Sequence, residues 1–156
     1  MRFVTMNKLL ITSALFLSAA ATGCTIETGD TIDPTTLSGY VDGQSWSFVA
    51  GHTDAYLSEG EDEFFATLYP TSFTPCGFTE PNAPHLIVSI PKVPGDYDMG
   101  FDRNMTFVSG SRNMVAFDGR IKVDSVSATR ITGGLTGDYD FDNEVSGMFD
   151  ITICPR

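Results

Sequence analysis

The chain has 156 residues, with 20 acidic against 9 basic side chains and a formal net charge of −11 at pH 7. This length suits a single domain of ordinary size with its own hydrophobic core. The acidic balance argues against binding to nucleic acid or to anionic lipid headgroups, because both are recognised by Lys and Arg side chains.

The first 23 residues have the layout of a secretory signal peptide. Arg2 and Lys8 precede an apolar run from Leu9 to Leu17, which is too short for a transmembrane helix of about 20 apolar residues. The run leads into Ala21-Thr22-Gly23-Cys24. This segment resembles the lipobox of bacterial lipoproteins. The resemblance implies cleavage before Cys24 and acylation of that cysteine, which would anchor the protein to a membrane.

The lipobox resemblance divides the chain into three parts. Residues 1–23 are the signal peptide, residues 24–36 are the lipidated cysteine with a polar, Thr-rich flexible tether, and residues 37–156 form the domain. The remaining chain carries 7 basic and 20 acidic residues, a formal charge of −13. The resemblance implies an extracytoplasmic location in the bacterial envelope, at the outer membrane or the periplasmic face. An ordinary soluble secreted protein is the main alternative.

The cysteine count fits the same interpretation. The chain has three cysteines, and an odd number in a secreted protein normally leaves one unpaired. If Cys24 carries lipid, Cys76 and Cys154 remain to form a disulfide in an oxidising compartment. Metal ligation is the alternative, but the sequence contains no Cys-x-x-Cys spacing.

From Leu37 onward, short runs rich in Val, Ile, Thr, Phe and Tyr alternate with Gly, Asp, Asn and Pro, which predicts an all-β domain. Asp42-Gly43 predicts the tight turn of a first hairpin. Asp118-Gly119 is interpreted as a second turn, before a strand over Arg120 to Val126. Further strands are predicted at Phe64 to Tyr69, His85 to Ile90, Gly95 to Phe101, Met105 to Ser109, Asn113 to Phe117 and Arg130 to Phe141.

The last predicted strand has the most regular pattern. Val145, Gly147, Phe149, Ile151 and Ile153 repeat at period two and lead directly into Cys154. With it, the sequence predicts about 8 to 10 strands in an antiparallel two-sheet β-sandwich, in preference to a closed β-barrel.

Residues 70–84 contain four prolines and predict one long connection pinned by the disulfide at Cys76. Long ordered loops on a rigid sheet commonly carry binding surfaces. Phe73 and Phe78 are candidates for contact with a partner, or for packing beneath their own loop.

Two segments of the domain, residues 39–46 and residues 134–149, carry Gly-Tyr-Val-Asp-Gly-Gln-Ser-Trp and Gly-Leu-Thr-Gly-Asp-Tyr-Asp followed by Val-Ser-Gly-Met-Phe. In this layout the chain is similar to small β-rich bacterial lipoproteins. The resemblance covers most of residues 37–154 and implies the fold and the compartment. It carries no catalytic residues that could be transferred to this chain.

An acidic cluster near the C-terminus is the strongest candidate for metal binding. Asp138, Asp140, Asp142 and Glu144 alternate along the sequence, and carboxylate oxygens are the ligands that calcium prefers. The EF-hand pattern fails here, because its sixth position is Asn143 rather than Gly. The alternative is a solvated strand face ending in a turn.

Other chemical motifs are weaker. His52 and Asp54 would share one face of a strand, and zinc binding would also require His85 nearby. The sequence contains no nucleophile elbow, P-loop or dinucleotide-binding fingerprint. We therefore predict a non-catalytic binding or envelope-structural module without a resident cofactor, whose partners are the membrane and an envelope protein or glycan. A calcium-assisted carbohydrate- or protein-binding domain is the alternative, followed by a hydrolase.

Overall fold

The computed structural model describes residues 31–77 and 79–155. The predicted signal peptide, Cys24, most of the tether and Phe78 lie outside the described residues. In the described part, the all-β prediction is confirmed, and no helix is long and apolar enough to cross a membrane. The eleven strands are β1 (Ser38–Val41), β2 (Gln44–Ser47), β3 (Ala50–Asp54), β4 (Glu63–Tyr69), β5 (His85–Pro91), β6 (Gly95–Asp98), β7 (Met105–Ser109), β8 (Arg112–Ala116), β9 (Asp118–Val126), β10 (Arg130–Asp140) and β11 (Asn143–Cys154).

Hydrogen bonds link these strands into a single curled sheet. The main order is β6-β9-β10-β11-β3-β4-β5-β7-β8, and the β1–β2 hairpin joins the sheet through β11. Strands β8 and β10 approach each other, as do β5 and β9, although the strands of neither pair are hydrogen-bonded neighbours in the sheet. The sheet therefore has two arms, β6-β9-β10-β11 and β3-β4-β5-β7-β8, which face each other across a shared core.

One strand pair departs from the predicted antiparallel arrangement. β11 pairs with β3 in parallel, with Thr152 opposite His52 and Cys154 opposite Asp54. β1 runs antiparallel to β11, and β2 reverses that direction. Since only residues 48 and 49 separate β2 from β3, the chain continues without turning back. β3 consequently runs in the same direction as β11, and the sheet is mixed.

The core lies between the two arms of the sheet. The period-two pattern predicted for the last strand is confirmed, because the alternate residues from Val145 to Ile153 are buried. The opposite arm contributes side chains that are shielded from solvent as well. They are Ala66, Leu68, Leu86, Val88, Ile90, Met105 and Phe107. Burial of this apolar surface is the main stabilising contribution to a fold of this kind.

The two Asp-Gly dipeptides have different roles. Asp42 and Gly43 have φ values of 53° and 70°, as expected for a type I′ turn, so the predicted first hairpin is confirmed. The predicted turn at Asp118-Gly119 is wrong, because both residues lie in β9 and pair with Asp138 and Gly137. A Cβ atom at Gly119 would lie 2.2 Å from the carbonyl oxygen of Thr136. Close approach of two backbones therefore requires glycine here, and no turn is formed.

The chain joins the sheet before the predicted start of the domain at Leu37. The Leu37 amide donates to the Met148 carbonyl at 2.9 Å, and the Met148 amide donates to the Thr35 carbonyl at 2.7 Å. The Asp33 amide also donates to Ser146 Oγ at 2.9 Å. Residues 33–36, which the sequence placed in the tether, are thus bonded to β11.

Candidate functional site

The long connection between β4 and β5 is attached to the end of β11. The predicted disulfide is confirmed, since it joins Cys76 in this loop to Cys154, the last residue of β11. Cys76 has a φ of 65°, a left-handed conformation that is uncommon for residues other than glycine. The bridge holds the loop over the ends of the parallel strands β3 and β11, which lie in the middle of the sheet.

A chain of three polar side chains lies beneath this loop. The Tyr69 hydroxyl donates to Glu80 Oε2 at 2.9 Å, and Glu80 Oε1 lies 3.1 Å from His52 Nε2. The other ring nitrogen, His52 Nδ1, accepts a hydrogen bond from the Cys76 amide at 3.4 Å. We assign the ring proton to Nε2, because Nδ1 faces a donor and Nε2 faces a carboxylate.

Aromatic rings enclose this polar chain on one side. The Tyr69 ring lies 4.9 Å from the His85 ring and 5.1 Å from the Phe73 ring, and Phe73 is 5.3 Å from His52. Phe73 therefore packs beneath its own loop. Tyr69 is buried, and its burial raises the pKa of the phenol well above the usual value, with further contributions from the hydrogen bond to Glu80 and the charge of Glu80. Tyr69 remains a hydrogen-bond donor at physiological pH.

The raised pKa of Tyr69 predicts a pH dependence of stability. In the unfolded chain tyrosine loses its proton near pH 10, whereas folded Tyr69 keeps it. The free energy of unfolding should therefore decrease as pH rises above about 10. Tyr69→Phe should flatten this decrease, and at pH 7 it should lower the free energy of unfolding by about 1–3 kcal/mol through loss of the hydrogen bond to a charged group. Urea unfolding between pH 7 and pH 11 measures both effects.

Tyr56→Phe is the matched control, because Tyr56 is 66% exposed. The free energy of unfolding of this variant should decrease above about pH 10 as steeply as that of the wild-type chain. Mass spectrometry would verify that the disulfide survives at each pH. If the free energy of unfolding of Tyr69→Phe decreased with pH as steeply as that of the wild type, the raised pKa of Tyr69 would not be the cause of the decrease.

A pocket of about 360 Å³ opens beside the polar chain. We call it the loop pocket, and it is lined by His52, Thr53, Asp54, Leu57, Phe65, Thr67, Cys76, Gly77, Glu80, Cys154 and Pro155. Leu57 is 69% exposed and Phe65 is 50% exposed, so two apolar side chains lie on its rim. Its polar groups are chiefly hydrogen-bond acceptors, and none of these lining residues is Lys or Arg.

The predicted acidic cluster lies at the other end of β10 and β11. Asp138 pairs with Glu144 across the two strands, and Asp140 pairs with Asn143. Asp140 Oδ1 accepts hydrogen bonds from the Asp142 amide at 3.1 Å and from Asn143 Nδ2 at 2.7 Å. Asp140 and Asp142 are therefore accounted for as turn-forming residues.

Within residues 31–77 and 79–155, no three His, Cys, Asp or Glu side chains are arranged to hold a metal ion. Asp138 and Glu144 line a separate groove of about 320 Å³ together with Ser38 and Gly39. The calcium site stays a prediction. For zinc, His85 contacts the Tyr69 ring and its Nδ1 lies 2.9 Å from the Ala83 carbonyl, so it does not join His52 and Asp54.

Glu80 and Tyr69 were missed in the sequence. They are 11 residues apart and meet only because the loop folds back over β4. The one available signal was the position of Glu80 in the loop that Cys76 was predicted to pin. His52 was noted in the sequence, but for a different set of partners.

Comparisons with protein-family models, with curated proteins and with solved structures found no match to this chain. Its function is therefore inferred from the chemistry of its own residues.

Proposed function

We propose that the protein is a lipid-anchored, extracytoplasmic binding module of the bacterial envelope with no catalytic activity of its own. The anchor is the acylated Cys24, which the lipobox-like segment implies. The binding surface is the loop pocket. Its concave shape, its disulfide-pinned wall and its mixed polar and apolar lining are compatible with a small-ligand site.

The observation that carries this proposal is the combination of groups in one pocket. Leu57 and Phe65 present exposed apolar surface, while Asp54 and Glu80 present carboxylate oxygens. A saccharide matches both, since its ring has an apolar face of C–H groups and its hydroxyls are hydrogen-bond donors. The volume of about 360 Å³ suits one or two sugar rings better than a protein surface. We propose an envelope glycan as the ligand.

Both nitrogens of His52 are already engaged, by Glu80 and by the Cys76 amide. In this state the ring joins β3 to the loop through two contacts. These contacts fix one wall of the loop pocket, which supports a binding role.

Isothermal titration calorimetry with soluble peptidoglycan fragments would test the proposal, using the full-length chain in detergent micelles. Phe65→Ala should raise the dissociation constant about tenfold, because it removes the aromatic contact surface. Phe141→Ala is the matched control, since Phe141 is 96% exposed and lies between β10 and β11, away from the pocket. Absence of binding, or equal weakening by the two variants, would overturn the proposed site.

A further inference from the structure

We infer that the Cys76–Cys154 disulfide is a thiol–disulfide exchange site, in which a thiol reductant bonds to Cys76 and His52 stabilises the departing Cys154 thiolate. This inference goes beyond the proposed binding role and does not depend on it. It requires neither lipid on Cys24 nor a ligand in the loop pocket.

The two cysteines differ in their surroundings. Cys76 is an exposed residue of the loop, whereas Cys154 is 5% exposed at the end of β11. Cys154 Sγ lies 3.6 Å from His52 Nδ1. An incoming thiolate therefore reaches Cys76 more readily, and the sulfur that leaves is the one beside the imidazole. Exchange is faster when the leaving sulfur is the better-stabilised thiolate.

The ionisable groups around His52 are chiefly acidic. Glu80 approaches Nε2 from the loop at 3.1 Å, and Tyr69 from β4 donates to the same carboxylate. Asp54 follows two residues later on β3 and also lines the loop pocket. The residues opposite His52 on the neighbouring strands are uncharged, Thr67 on β4 and Thr152 on β11. The ionisable groups facing the ring are thus acids, the phenol and the cysteine pair.

Backbone pairing would hold this geometry after reduction. Residues 152–154 of β11 pair with residues 52–54 of β3 through the strand ladder, independently of the disulfide. Cys154 would therefore stay beside His52, while Cys76 would move with its loop. A histidine next to a cysteine is an arrangement that lowers the pKa of a thiol and increases its thiolate fraction.

Exchange begins when the thiol R–SH ionises to the thiolate R–S⁻, which attacks Cys76 Sγ, so that the R–S–Cys76 bond forms and the bond between Cys76 and Cys154 breaks. The electron pair passes to Cys154 Sγ, and the proton that R–SH released to solvent is taken up by His52 Nδ1. The products are a mixed disulfide at Cys76 and a thiolate–imidazolium pair of Cys154 and His52. A second R–SH then releases R–S–S–R and leaves a thiol on Cys76, so R–SH is oxidised and the protein disulfide is reduced.

The test measures reduction of the full-length chain carrying Cys24→Ser, which leaves Cys76 and Cys154 as its only cysteines. With dithiothreitol at pH 7, the rate should increase in proportion to reductant concentration, and His52→Gln should slow it about tenfold. Dividing the rate with His52 by the rate with His52→Gln removes the effect of dithiothreitol ionisation, which is the same for both proteins. That ratio should increase from pH 8 to pH 6, the range in which histidine side chains gain their charge.

His85→Gln is the matched control and should leave the rate unchanged, since His85 packs on Tyr69 and does not contact the disulfide. Glu80→Gln is a second variant with an exposed side chain, and it should slow reduction several-fold with the same pH trend. Acid quenching during reduction by 2-mercaptoethanol should show the adduct on Cys76. An adduct on Cys154, or a rate ratio for His52→Gln that stays near one at every pH, would overturn the inference.

Discussion

Removal of the Cys76–Cys154 disulfide is expected to lower the free energy of unfolding by about 4.5 kcal/mol. The two residues are 78 positions apart in the sequence. In the chain-entropy model, a cross-link that closes a loop of this length stabilises the folded state by about 4.5 kcal/mol, because it lowers the entropy of the unfolded chain. Domains of this size are typically stable by about 5–15 kcal/mol. The variant with Cys76→Ser and Cys154→Ala should therefore be close to the limit of folding at 37 °C.

Urea unfolding of the full-length chain carrying Cys24→Ser measures this loss directly. The same chain after reduction is the matched control, because it lacks the bond but retains both cysteine side chains. The denaturant slope should increase in both cases, since the unfolded chain without a cross-link exposes more surface. A loss below about 1 kcal/mol, with an unchanged slope, would show that the bridge does not constrain the unfolded chain.

Cys24→Ser is expected to remove the protein from the membrane fraction almost completely. Each buried methylene of an acyl chain contributes about 0.8 kcal/mol, so two or three chains on one residue give an anchor that does not dissociate on a functional timescale. The rest of the chain offers little electrostatic attraction to anionic lipids, since it carries 7 basic against 20 acidic residues. Fractionation of bacteria expressing the full-length chain, with mass spectrometry of the peptide that begins at Cys24, measures both location and acylation.

Cys76→Ser is the matched control for this prediction. It also removes one cysteine and destabilises the domain by breaking the disulfide, but it keeps Cys24, so the protein that accumulates should still be acylated and located at the membrane. Resistance of the wild-type protein to washing with high salt would distinguish the lipid anchor from electrostatic attachment. An unmodified Cys24 in the wild-type membrane fraction would contradict the lipoprotein interpretation.

Much of the local structure could be predicted from the sequence. The Asp42-Gly43 turn and the alternation from Val145 to Ile153 were both confirmed, because each depends on the conformational preferences of neighbouring residues. The pairing of Cys76 with Cys154 followed from counting cysteines once Cys24 was assigned to lipid. The same local rules failed at Asp118-Gly119, where the glycine is required by the neighbouring strand β10.

The candidate site was only partly predictable. The sequence indicated the long loop, its disulfide and His52 as a residue with possible chemistry. The arrangement of His52, Glu80 and Tyr69 could not be predicted, because these residues belong to β3, the loop and β4 and show no common spacing. The spacing of Asp140 and Asp142 in the acidic cluster also has a local explanation, since the Asp142 amide donates to Asp140 Oδ1 in a turn.

The sequence by itself determined most of the strand positions and which of their faces is apolar, because alternation and turn preference act over a few neighbouring positions. The cysteine count indicated which cysteines pair, once Cys24 was assigned to lipid. The tertiary structure decided the parallel pairing of β3 with β11 and the position of the β4–β5 loop above it. Those features depend on how strands distant in sequence share one curled sheet, and the energy of that choice comes from burying the whole core. The contact between His52 and Cys154 exists only because of it.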